Sequence, residues 1–524
     1  MRYIQLIAVI IALAPSLLPS LTAGERPNIL FCISDDQSWM HAGAYGCSWV
    51  KTPAFDRVAK DGLLFLNAYT PNAKCAPSRA CILTGRNTWQ LEEACNHWPF
   101  FPTKFQSFAE VLPKNGYHTG STGKGWAPGI AKDEDGRQRQ LTGTKFNKQK
   151  QKPPTKTISS NDYAANFSDF LDANSDGRPW CFWYGATEPH RAYEYGTGVS
   201  VAGKSLDDID EVPAFWPDNE VIRNDMLDYA LEIEHFDGHL GRMLQLLEER
   251  KQLDNTIVVV TADNGMPFPR VKGQEYEMSN HLPLAIMWKN GVVDPGRVIK
   301  DLVSFVDFAP TFLEAADVNW ATSGMSPTVG RSLLPVFQNT MGNQRHREFV
   351  VFGKERHDIG RPHDEGYPMR GIVDGEFLYI RNYEPTRWPA GNPETGYLNC
   401  DGSPTKTELL NDFRYKTDIA GRWQMAFGKR PGEELYRLKD DKYCMRNLAA
   451  NITWESVRQK LEAKLLHRLR DEKDPRIKGP ADYFERMPYA DRKGNGFYER
   501  YMAGEELNAG WVNSADFEPT PIQD

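Results

Sequence analysis

The chain has 524 residues, enough to bury a large core and to build more than one domain. Its 40% hydrophobic and 25% charged content excludes a disordered or fibrous chain. A formal net charge of -8 argues against generic binding to nucleic acid or to an anionic membrane surface, so an anionic substrate would need a locally basic site.

Met1-Arg2 precede an apolar run from Ile4 to Leu13, then Pro15, Pro19 and Ala23-Gly24. This reads as a signal peptide over residues 1–24, too short in its apolar part to span a bilayer. The expectation is an exported protein without a membrane span, periplasmic or extracellular, or lysosomal in an animal host. Of the eight cysteines, Cys75 sits in a motif discussed below. The other seven are an odd number, so at least one stays free or pairs between chains.

Asn28 to Ser34 is a short apolar run of buried-strand type that ends on Asp35-Asp36. Adjacent acids at a strand's carboxyl end lie on the edge where open α/β sheets collect ligands, and a cation there would relieve their repulsion. An isolated Asp-Asp pair is more often a solvated loop. Thr52 to Ala59 and Ser107 to Leu112 have helical spacing. Between them lies Cys75-Ala76-Pro77-Ser78-Arg79-Ala80-Cys81-Ile82-Leu83-Thr84-Gly85-Arg86. Pro77 suits the first turn of a helix, which puts Cys75 at a helix N-terminus, a place that favours an anion, with Arg79 one turn on.

Thr122-Gly123-Lys124-Gly125-Trp126 follows, then a polar stretch over residues 131–160 expected as an inserted surface loop. Trp180 to Gly185 is an apolar strand ending on Thr187-Glu188-Pro189-His190-Arg191. From Val221, the positions Ile222, Met226, Tyr229, Ile233, Phe236, Leu240, Met243 and Leu247 trace one face of a long amphipathic helix. Its polar residues Glu232, Glu234, His235 and Asp237 are expected on a solvated face. Thr256 to Thr261 is the clearest strand and ends on Ala262-Asp263-Asn264-Gly265. Short strands and Pro/Gly-rich turns replace the alternation near Gly366, giving expected units 25–366 and 367–524. Asn166-Phe167-Ser168 and Asn451-Ile452-Thr453 are glycosylation sequons.

Cys-x-Pro-Ser-Arg, three free positions and Leu-Thr-Gly together resemble the signature of the type I sulfatases. There a maturation enzyme oxidises the cysteine to formylglycine (3-oxoalanine), whose hydrate has one hydroxyl to attack sulfur and another to expel sulfate. The resemblance implies an alkaline-phosphatase-like α/β sandwich, a large mixed sheet flanked by helices, with a smaller C-terminal α+β subdomain. It implies one calcium ion held by Asp35, Asp36, Asp263, Asn264 and an oxygen of residue 75, and an all-oxygen shell suits calcium, or magnesium less well, and argues against zinc. Lys124 and Lys272 would offset charge on the sulfuryl oxygens, Arg79 would steady residue 75, and His190 would protonate the leaving atom. Family members commonly carry His two residues after the lysine, where this chain has Trp126.

Asp263 to Pro269 with Lys272, and Tyr367-Pro368-Met369-Arg370, look like the heparan N-sulfatase (sulfamidase) branch. The implied activity is release of sulfate from a sulfated oligosaccharide or polysaccharide, either an O-sulfate of algal ulvan type or an N-sulfated glucosamine. Trp126, Arg191, His281 and Arg370 are candidate sugar contacts. The alternatives are a phosphate or phosphonate ester hydrolase of the same superfamily and a sulfated-glycan binding protein without catalysis.

Overall fold

The computed structural model describes residues 26–480 and 482–522, so the expected signal peptide lies outside the described residues. Its strands are β1 (Asn28–Ser34), β2 (Leu63–Tyr69), β3 (Phe100–Phe101), β4 (His118–Gly123), β5 (Ile130–Ala131), β6 (Thr144–Lys145), β7 (Trp180–Gly185), β8 (Thr256–Ala262), β9 (Leu284–Met287), β10 (Arg297–Ser304), β11 (Val350–Lys354), β12 (Met369–Val373), β13 (Phe377–Asn382) and β14 (Glu433–Arg437). Eight of them form one mixed sheet in the order β10-β2-β9-β8-β1-β7-β4-β6. Only β9 runs against its neighbours, β2 and β8.

Alternation along β1 explains why the sheet is covered on both faces. Phe31 and Ile33 join one core, with Phe308 and Phe312 of a flanking helix, while Leu30 and Cys32 join the other. That second core is closed by α1 (Pro53–Asp61) and by the 30-residue helix Glu220–Glu249. The apolar positions of the long helix are buried as expected. Of the four polar positions expected on a solvated face, two are buried as well: Glu232 is 3% exposed and Asp237 2%. Asp237 accepts the Ala54 and Phe55 amides at 2.9 and 2.8 Å, so its carboxylate satisfies free donors at the start of α1. The solvated-face expectation is therefore wrong at these residues, because a helix flanked on two sides needs polar partners inside.

Strands β11, β12, β13 and β14 form a second, antiparallel sheet. It begins at Val350, ahead of the boundary expected near Gly366. Leu461, Leu465 and Leu469 of the helix Glu455–Asp471 pack on it. Within the 131–160 stretch, β6 adds to the edge of the large sheet, and Thr155 and Ile158 are buried.

After the Phe497–Met502 helix the chain runs as a strap back across the molecule. Gly402 N donates to Trp511 O at 2.8 Å, and Lys406 Nζ lies 3.1 Å from Asp516 Oδ2 with both side chains fully buried. All eight cysteines are unbonded. Asn166 is fully buried and donates to Gln149 O and Asp162 O, so it is no glycan acceptor in the folded chain, whereas Asn451 is exposed.

Candidate active site

The loops that follow β1, β4, β7 and β8 leave one edge of the large sheet and deliver Asp35-Asp36, Lys124, Glu188 with His190, and Asp263-Asn264. Into this edge points the start of α2 (Cys75–Thr84), whose ten residues are all buried. Lys74 precedes the helix in an extended conformation and Gly85 ends it at φ +67°, a left-handed value that glycine tolerates. Pro77 falls in the first turn, where its missing amide proton costs no intrahelical bond.

Cys75 Sγ lies 3.4 Å from Asp35 Oδ1 and 3.8 Å from Asp36 Oδ1. Arg79 is fully buried: its Nε donates to Asp263 Oδ2 at 2.7 Å and its Nη1 to the carbonyls of Lys124 and Gly125 at 2.8 and 2.9 Å. Arg79 thus holds the β4 and β8 loops against α2. Lys124 Nζ donates to Asp35 Oδ2 at 2.6 Å. Lys272 Nζ bridges Asp36 Oδ2 at 2.7 Å and Asp401 Oδ2 at 2.8 Å. His190 Nδ1 sits 2.5 Å from its acceptor, Arg191 O, so that nitrogen carries the proton and Nε2 faces Asp36 Oδ2 at 3.9 Å.

The charges set the protonation states. Burial pushes Asp35 upward, but Lys124, with Arg79 and His190, outweighs it and the repulsion of Asp36, and holds the carboxyl at about 2. Burial would strip the proton from Lys124 and Lys272, yet the facing carboxylates keep both raised and charged. The Cys75 thiol goes the other way: burial, then Asp35, pushes it well up. An unmodified thiol there is a poor nucleophile.

Asp35, Asp36 and Asp263 each offer an oxygen, and these oxygens lie within 4.8 Å of one another. Asn264 Oδ1 is buried beside them without a hydrogen-bond partner. A buried acceptor with nothing to accept, next to three carboxylates, fits a hard cation such as calcium.

The structure brings Cys75, Arg79, Lys124, His190, Lys272, Asp35, Asp36, Asp263 and Asn264 together. The four expected sugar contacts are fixed to protein partners in different ways. Trp126 donates its indole N–H to Ala76 O at 3.0 Å and packs edge-on against Phe101. Arg191 makes a bidentate pair with Asp225, both bonds 2.7 Å, and donates to Pro267 O. His281 is stacked between Trp39 and Tyr69 and bonds Glu277 at 2.6 Å. Arg370 is 0% exposed, locked by Glu355 and Asp474 at 2.6 and 2.7 Å. Arg370 and His281 are buried on these partners, whereas Arg191 lines a hollow shared with Asp35, Lys124 and His190, and Trp126 is half-buried.

A cavity of about 250 Å³ opens on Cys75, Lys124, His190 and Lys272 and is walled by Lys74, His97, Trp98, Asp358, Asp401 and Trp511. Only Lys74, directly before Cys75, had a local signal. Asp358, Asp401 and Trp511 come from irregular segments whose positions no periodicity reveals. Across His190 a second hollow, of about 320 Å³, is lined by Glu188 and Glu232 among others.

The sulfatase family model matches residues 27–318. Among curated proteins, the chain is 29% identical over 447 residues to an ulvan-active sulfatase of Formosa agariphila, covering 83% of this chain and 78% of that one. It is 26% identical over 500 residues to human N-sulphoglucosamine sulphohydrolase, covering 88% and 93%. Among solved structures, one in complex with its substrate D-glucosamine-2-N,6-O-disulfate superposes with a TM-score of 0.61 at 20% identity, covering 86% of this chain and 99% of that one. A 2-O GAG sulfatase superposes at 0.60 with 17% identity, covering 91% and 100%. These likenesses carry the alkaline-phosphatase-like fold, and the family match spans more than half of the chain: it belongs to the sulfatase family and is a sulfate ester or sulfamate hydrolase.

Proposed function

We propose that this sulfatase removes sulfate from a sulfated carbohydrate, with residue 75 as formylglycine and calcium as the bound metal. The observation that carries the reading is the position of Cys75, first residue of a buried helix, within 3.8 Å of two carboxylates and in one cavity with Lys124, His190 and Lys272. When bound, calcium would be held by Asp35, Asp36, Asp263 and Asn264 and would acidify the hydrated aldehyde of residue 75.

This chain's own residues supply the rest. Lys124 and Lys272 are fixed cations where charge develops on the sulfuryl oxygens, and their carboxylate partners hold them in place before substrate arrives. His190 keeps one proton on Nδ1 toward the Arg191 carbonyl, and with a second proton on Nε2 the imidazolium donates that one to the departing sugar oxygen or nitrogen. Arg79 keeps α2 and the two loops in register, a positioning role that extends the steadying expected of it. Relatives named for ulvan and for N-sulphoglucosamine support a carbohydrate substrate and leave O- and N-sulfate side by side. Export through the N-terminal segment and conversion of Cys75 by a maturation enzyme belong to the same proposal.

Mass spectrometry of the Cys75 peptide, from protein made in a host with the maturation enzyme, is expected to show formylglycine. The converted protein is expected to release sulfate from at least one member of a panel of N-sulfated heparan disaccharides and O-sulfated algal oligosaccharides. An unmodified thiol with full activity would remove the proposed nucleophile. Faster cleavage of an aryl phosphate than of an aryl sulfate would favour a phosphate ester hydrolase.

A further inference from the structure

The cavity over Cys75 has a charged floor, but two of its walls are indoles from distant parts of the chain. Trp98 and Trp511 both line it and both are half-buried. Both pack on one side against the cluster of Ile359, Leu398, Tyr489 and Phe497, Trp98 with its ring centroid 6.4 Å from that of Tyr489, and both border the cavity. Trp511 donates its indole N–H to Leu398 O at 2.8 Å, and its backbone carbonyl accepts Gly402 N. Trp98 has a left-handed backbone at φ +53°, a conformation rare for a bulky residue, and its carbonyl accepts Ala490 N at 2.8 Å. Its indole N–H has no hydrogen-bond partner among the described residues.

Beside the indoles stands a short polar group. Lys74 Nζ lies 2.8 Å from Asp358 Oδ2, and His97 Nδ1 lies 2.9 Å from Asp358 Oδ1. The carboxylate fixes the His97 proton on Nδ1 and leaves Nε2 as an acceptor; burial further lowers the imidazole to about 4, against the pull of Asp358. Apolar aromatic walls with a few fixed polar groups suit a pyranose, which offers a C–H face and a ring of hydroxyls. A volume of about 250 Å³ lies below that of pockets for drug-sized ligands and is on the scale of one sugar ring beside the sulfate end.

We propose that Trp98 and Trp511 form a clamp for a single terminal sugar ring, with His97, held by Asp358 and Lys74, turning its free Nε2 to a sugar hydroxyl, so that the C-terminal strap is part of the substrate site. The inference rests on the carbohydrate reading above. It assigns the sugar contacts to residues other than Trp126, Arg191, His281 and Arg370. It also makes the enzyme selective for sulfate on a chain end.

The test uses converted full-length enzyme and a sulfated disaccharide that it turns over. Trp98→Ala and Trp511→Ala are each expected to raise KM about tenfold, with recovery in the Phe variants. The inhibition constant of inorganic sulfate, which fills only the charged end, is expected to stay within twofold. In the native protein, titration with the desulfated disaccharide is expected to shift tryptophan fluorescence, and this shift is expected to shrink in either variant. KM values within twofold of native in both Ala variants would overturn the clamp, as would release of internal sulfate from a longer oligosaccharide as fast as terminal sulfate. If the native enzyme, fully converted, releases sulfate from no sugar, the carbohydrate reading fails. The fluorescence titration then decides the clamp alone, and no shift in the native protein would overturn it too.

Discussion

Asp36 sits at φ +75°, in the left-handed region, directly after a buried strand. Such a backbone costs a non-glycine residue roughly 1–2 kcal/mol and needs surroundings that over-determine it. Here its amide donates to Asp263 Oδ1 at 3.0 Å and its carboxylate receives Lys272. Lys272→Ala is therefore expected to lower kcat/KM about 100-fold or more and to weaken inhibition by inorganic sulfate, read from steady-state kinetics. Chelation is expected to lower both activity and melting temperature, with calcium restoring both, because three carboxylates are then left facing one another. Asp263→Ala is expected to abolish the calcium-dependent shift in melting temperature, and a shift of native size in that variant would contradict the proposed ligand set. The motif residues were legible in the sequence because each lies within a few residues of a strand end or helix start. Arg370 and His281 were misassigned for the opposite reason: spacing reveals a charged or aromatic residue, but not the Glu355, Asp474 or Glu277 that consumes it.

Among the elements, the junction after β10 depends on one buried acid. Asp307 is fully buried and accepts the amides of Ser304 at 3.1 Å and Arg331 at 2.7 Å, besides pairing with Arg347 and His346. Burial pushes its carboxyl up, but the Arg347 charge and the hydrogen bonds of Arg347 and His346 outweigh this and hold it well below the usual carboxylate range. A folded-state pKa below the unfolded one means that the unfolded chain binds more protons. Stability from this group is thus complete above about pH 4 and is lost as pH falls through the lower folded value. Asp307→Asn is expected to cost about 3–5 kcal/mol at neutral pH and to flatten the acid limb of the stability curve, measured by thermal melts from pH 7 down to pH 3. The strands and the long helix were readable from periodicity. Glu232 and Asp237 were not, since a period marks which positions are apolar and is silent on whether the polar ones face water or a neighbouring helix start.

Across the whole molecule, the small sheet and the C-terminal segments are tied together by ions. Arg370 on β12 reaches Asp474 and Glu355, and Arg476 returns to Glu355 at 2.6 Å. Arg370→Met would leave Asp474 and Glu355 buried with fewer partners, at an expected cost of about 3–5 kcal/mol. KM for the sugar substrate is expected to stay native-like below the lowered melting temperature, because Arg370 does not line the cavity. A rise in KM without loss of stability would return Arg370 to the substrate site.

The strap also sets an order of events in time. Cys75 and the loops around it leave the ribosome long before Trp511, and at ordinary synthesis rates the interval for the intervening residues is about 20–90 s. During that interval the residues of the charged floor and Trp98 are made, while the second indole wall, Trp511, does not yet exist. The buried pairing of Lys406 with Asp516 ties down the strap segment that carries Trp511. The proposed clamp is thus completed after the sulfate end, and a chain cut before Trp511 is expected to keep inorganic sulfate inhibition while losing its preference among sugars.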